Sequence, residues 1–72
     1  MKRIIEILKR IRSEIDVNSN ALIDDELLDS FDLVTLVSEL IDVFGVEISV
    51  EDIIPENFNS VEAINKLIEG KK

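Results

Sequence analysis

Few side chains in this sequence could take part in covalent chemistry, and Ser30 is the best placed of them. It sits in the run Leu28-Asp29-Ser30-Phe31-Asp32-Leu33. The chain has no histidine and no cysteine, so it lacks the commonest general base, the commonest metal ligand and any thiolate. Ser30 has no imidazole to activate it, and self-catalysed nucleophilic attack is disfavoured. Chemistry at this hydroxyl would have to come from another protein. Asp29 is a good helix N-cap, its carboxylate able to accept a first-turn N–H. Asp32 adds negative charge where a helix dipole favours it. Ser30 therefore opens a helix, a place whose free N–H groups suit a bound or attached phosphate. By spacing alone, a serine there is more commonly an N-cap or first-turn residue.

Other polar clusters carry less. Asp16, Asn18, Asn20 and Asp24 fall at ligand positions of a calcium-binding loop. Ala21 stands where that loop turns on glycine, and Leu27 where a bidentate glutamate closes it. Polar turn residues are the better reading, and no metal site is expected. Asp24, Asp25, Glu26 and Asp29 crowd four carboxylates together. A surface loop offers too little burial to separate their pKa values for acid–base work. With Gly45 and Gly70 the only glycines, no phosphate-cradling loop is available.

The elements that would position Ser30 can be read from spacing. Ile4, Ile7, Leu8, Ile11 and Ile15 repeat at the three-and-four steps of an amphipathic helix, predicted over about residues 2–16. A long connection follows to about Asp29, with Leu22, Ile23, Leu27 and Leu28 expected to turn inward. The second helix runs from Asp29-Ser30 to Phe44 and ends on a left-handed Gly45. A short helix is predicted over about 50–54, capped by Ser49 and stopped by Pro55. Asn59 with Glu62 resembles a capping box opening a last helix over about 60–69, ending at Gly70, with Val61, Ile64, Leu67 and Ile68 as its stripe. The expected fold is all-α, a single domain over 1–72 of three main helices and one short one.

The second helix has too many apolar positions for one face. Leu33, Leu36, Val37, Leu40 and Phe44 form one stripe; Leu36, Leu40 and Phe44 are expected to pack on Ile4, Leu8, Ile11 and Ile64. Phe31, Val34 and Ile41 run along a second direction, past Ser38. A small bundle cannot easily bury both sides, so Phe31 and Ile41 are expected to face a partner, with Val34 open to either role.

Charge limits the partners. The formal net charge is −8, and fourteen Asp or Glu lie between Ser13 and Asn65 without one Lys or Arg. Nucleic acid is disfavoured, because binding it means neutralising phosphates. A basic patch on a partner protein is favoured. No apolar run approaches the roughly 20 residues of a membrane span, and no signal peptide is visible. A cytoplasmic monomer is the expectation.

Leu27-Leu28-Asp29-Ser30-Phe31-Asp32-Leu33 resembles the Asp-Ser-Leu signature of acyl carrier proteins and their peptidyl and D-alanyl relatives. The likeness continues through Val34-Thr35-Leu36-Val37-Ser38-Glu39-Leu40 and Phe44-Gly45-Val46-Glu47-Ile48. Ser49-Val50-Glu51-Asp52 and Asn59-Ser60-Val61 fit the short third helix and the start of the fourth. The resemblance implies a four-helix bundle and a free-standing, non-enzymatic carrier. It implies that a phosphopantetheinyl transferase, using coenzyme A and Mg²⁺, attaches 4′-phosphopantetheine to Ser30, with Asp29 part of the attachment motif. Cargo would ride on the arm as a thioester, for fatty-acid or secondary-metabolite synthesis, loaded by ligase or synthase enzymes. Phe31, Asp32, Val34, Ile41 and Asp42 would meet those partners. Phe31 replaces the usual leucine, Ser38 and Ile41 make the helix less acidic than in fatty-acid carriers, and the Ile53–Phe58 segment is longer. These departures lean towards a specialised carrier, of which a D-alanyl or other aminoacyl carrier is one form. A reading of another class is an acidic helical interaction module without a prosthetic group.

Overall fold

The computed structural model describes residues 1–72. Helix α1 spans Lys2–Ile11, α2 Ser30–Phe44, α3 Pro55–Phe58 and α4 Val61–Lys71, with a 3₁₀ turn at Val50–Asp52 ahead of α3. There are no strands. The chain forms an all-helical bundle of about 28 × 21 × 20 Å. In it α1 packs against both α2 and α4, and α3 lies on α4.

Apolar spacing on each helix builds the core. Ile4, Ile7 and Leu8 of α1 meet Leu36, Val37 and Leu40 of α2 and Val61, Ile64 and Ile68 of α4 in one cluster. Phe58 of α3 is completely buried at its base. Burying each large aliphatic side chain contributes about 1.5–3 kcal/mol before the chain-ordering cost is subtracted. Ile11, Leu33, Phe44 and Leu67, all expected inside, are half-buried against this cluster. Phe44 also lies under a terminal ammonium, Lys72 Nζ being 5.9 Å from its ring centre.

The long connection is pinned rather than loose. Leu22 and Leu28 enter the core, while Ile23 and Leu27 are half-buried over it. The Leu22 N–H donates to the Asn59 carbonyl at 2.9 Å, and the Asn59 side-chain oxygen accepts from the N–H groups of Ile23 and Asp24. The Asn59 amide then donates to the Asp24 carboxylate at 3.1 Å. One side chain thus ties the loop to the start of α4. The Asp16 carboxylate accepts from the Asn18 N–H, a local turn in the segment that resembles a calcium loop.

Three boundaries differ from those the spacing predicts. Helix α1 ends at Ile11, not near residue 16, because Arg12 adopts an extended conformation. Ile15 still packs on the core, from a turn in which its N–H donates to the Arg12 carbonyl. Pro55 starts a helix instead of only stopping one. Ile54 before it is extended, as proline demands, and the missing N–H costs nothing at the first helical position. The predicted helix at 50–54 is therefore a 3₁₀ turn followed by α3. Finally, Asn59 does not cap α4. Ser60 does, accepting from the Ala63 N–H, and the helix continues through Gly70 to Lys71.

Candidate functional site

Ser30 stands at the first position of α2 with its side chain in solvent. The capping duty belongs to its neighbour. Asp29 is the N-cap, its carboxylate accepting from the Asp32 N–H at 2.8 Å, while the Asp32 carboxylate accepts from the Asp29 N–H at 3.3 Å. This reciprocal box satisfies two backbone donors that a helix start would otherwise leave open. The Ser30 hydroxyl is consequently spared for other use. Three of the five other serines are engaged in structure: Ser60 caps α4, Ser19 accepts from the Ala21 N–H, and Ser49 donates to Asp52. Ser13 and Ser38 are exposed, but neither opens a helix.

A cation from outside the motif completes the corner. Arg12, one residue past α1, donates through Nε to the Asp32 carboxylate and through a terminal nitrogen to Asp29 at 3.1 Å. The hydrogen bond from Arg12 holds the Asp32 carboxyl below its ordinary value against the opposing effect of burial. The same bond raises the Arg12 guanidinium. An open groove of about 550 Å³ runs alongside, with Arg12 and Asp32 on its walls and Ile11, Ile15 and Leu27 among its apolar lining.

The outer side of α2 carries the second apolar stripe. Phe31 is 86% exposed, Val34 68% and Ile41 39%, and Asp42 is exposed with them. Two apolar residues beyond α2 were not singled out by spacing: Val50, 84% exposed, and Ile54, 40% exposed. Only their place in a short turn and before a proline could have flagged them, since neither lies on a periodic stripe. Asp32 is the odd member of the expected acidic ring. Its side chain is only 17% exposed and already paired with Arg12, so it is not a free rim charge.

A family model described as "phosphopantetheine attachment site" matches residues 1–68. The chain therefore belongs to the phosphopantetheine-attachment family and is a phosphopantetheine-bearing carrier protein. No curated protein and no solved structure matches it. Membership makes this domain a site of covalent 4′-phosphopantetheine attachment. An exposed hydroxyl on the first turn of α2, freed from capping, suits that group: a phosphodiester there would face unpaired N–H groups and the positive end of the helix dipole. The bound arm supplies a terminal thiol for thioester chemistry, which this cysteine-free chain cannot supply itself. No helix is long and apolar enough to cross a membrane.

Proposed function

We propose that Ser30 carries the phosphopantetheine arm and that the protein tethers acyl groups on it for delivery to partner enzymes. The observation that carries this reading is the division of labour at the start of α2: Asp29 caps the helix, and the serine beside it stays exposed. In loading, the Ser30 oxygen forms a new P–O bond to the phosphopantetheine phosphate as the pyrophosphate linkage of coenzyme A breaks, and adenosine 3′,5′-bisphosphate leaves. The serine proton goes to a base of the transferase, since this chain has no histidine to take it. The chain's own part is to hold the hydroxyl still and present a docking surface. Phe31, Val34 and Ile41 supply its apolar centre, and Asp42 supplies unpaired charge beside it, for transferase and for acyl- or aminoacyl-loading enzymes with basic patches. Asp32 acts there mainly by fixing the helix start.

The test is intact mass after incubation with coenzyme A, Mg²⁺ and a broad-specificity phosphopantetheinyl transferase. Wild type should gain one phosphopantetheinyl group and Ser30→Ala none. A gain that persists in Ser30→Ala places the arm elsewhere. Phe31 after the serine and the run Leu27-Leu28-Asp29-Ser30 lean towards a specialised carrier, and an aminoacyl cargo, including D-alanine, is the second reading. Offering the loaded-arm protein to an adenylating ligase with D-alanine and, separately, with a fatty acid distinguishes the two by the mass acquired.

A further inference from the structure

We infer that Arg12 is a built-in competitor for the cations of partner proteins, weakening the electrostatic recognition of Ser30; the inference rests on the reading of Ser30 as the loaded residue. Asp29 and Asp32 flank that serine, and a basic docking patch would naturally seek them. Arg12 already occupies both, reaching over from the end of α1. It is the last basic residue before Lys66, so no other cation in the intervening chain can take its place. The contact is accessible to exchange, because the guanidinium side chain is 49% exposed and that of Asp29 54%. The carboxylates of Asp24, Asp25 and Glu26 lie in the preceding loop, exposed and with no such cation against them. Charge recognition in the wild-type protein thus falls on that loop and on Asp42, while the two carboxylates nearest Ser30 are held in reserve. A partner gains them only by displacing Arg12, which makes Arg12 a specificity-determining residue: weakly basic partners are filtered out, strongly basic ones are not.

Removing an interaction that braces the site should speed its modification. With the transferase and coenzyme A at low ionic strength, Arg12→Gln should raise kcat/KM by about fivefold, the attraction of one additional contact charge in water. The gain should shrink as salt is added. Asp29→Asn, which preserves the N-cap, should slow loading more in the Arg12→Gln background than in wild type, since only there is Asp29 free for the partner. A folded Arg12→Gln with unchanged or lower kcat/KM overturns the inference, as does an Asp29→Asn effect of equal size in both backgrounds. If Arg12→Gln melts below the assay temperature, Arg12→Lys, which keeps the charge but loses the planar fork, should show a smaller rise, and no rise overturns the inference. Failure of the Ser30 reading looks different: wild type itself would gain no mass on Ser30.

Discussion

Two corners of this molecule are built to one plan. At Asp29-Ser30-Phe31-Asp32 the N-cap and the third helical residue bond to each other's backbone, and Arg12 reaches in from α1 to pair with the aspartate. At Ser49-Val50-Glu51-Asp52 the Ser49 N–H donates to Asp52 at 3.0 Å, and Lys71 reaches in from α4 to pair with that aspartate at 2.7 Å. Each corner exposes the residue directly after its cap. In the first it is a hydroxyl at the head of a fifteen-residue helix, and in the second it is Val50 at the head of a three-residue turn. The capping chemistry, then, is a general fastening for a helix start. What distinguishes the first corner is the free hydroxyl it leaves over and the long apolar helix face that follows it.

The most decisive way to break the comparison is to move the hydroxyl. Val50→Ser combined with Ser30→Ala should remain wholly unmodified by transferase and coenzyme A in an intact-mass assay. Modification at residue 50 would mean that a capped, exposed serine is sufficient and that the α2 face is dispensable.

The next effect separates the two sides of α2. Leu40 is fully buried, and Leu40→Ala should cost about 2–5 kcal/mol in denaturant unfolding. Phe44→Ala should cost less than Leu40→Ala, because Phe44 is half-buried. Ile41→Glu should leave the melting temperature near that of wild type yet slow transferase loading, by placing a charge in the contact centre. Unfolding by Ile41→Glu would assign that side chain to the core.

A smaller effect concerns the end of α2. Gly45 adopts φ +64°, and its N–H donates to the Ile41 carbonyl at 2.9 Å. A methyl group at Gly45 would meet no atom within 4 Å. Gly45→Ala should therefore cost only the backbone penalty, about 1–2 kcal/mol. A neutral result would mean that the helix end rearranges.

The smallest effect tests the two fastenings by pH. Asp32 is held below its ordinary carboxylate value chiefly by Arg12, and Asp52 chiefly by Lys71, with the Ser49 N–H assisting. Depressed folded values mean that each contributes stability above the unfolded value of about 4 and loses it as pH falls through that value towards the folded one. Asp32→Asn and Asp52→Asn should each flatten the acid limb of a plot of melting temperature against pH while altering its slope little between pH 6 and pH 8. Acid limbs identical to wild type would show that neither pair is held in solution.

Local rules decided much of this protein. Asp29 as cap, Ser30 at the helix start, Gly45 as the left-handed stop and the two-sided apolar pattern of α2 all follow from residues within a turn or two of one another. That is the range over which capping, φ preference and helical periodicity act. Position in the chain could not show where α1 gives way, because Ile15 returns to the core from a turn and so extends the apolar spacing past the helix. It could not show that Asn59 would serve the loop at Ile23 and Asp24, 36 and 35 residues away, instead of capping α4. Nor could it reveal that Arg12 would neutralise Asp32 and Asp29, 20 and 17 residues on. The Arg12 contacts depend on how α1 lies against α2, and that is set by the packing of Ile4, Ile7 and Leu8 against Leu36, Val37 and Leu40. Sequence thus located the hydroxyl and its cap; the tertiary structure decided which charges beside it remain free.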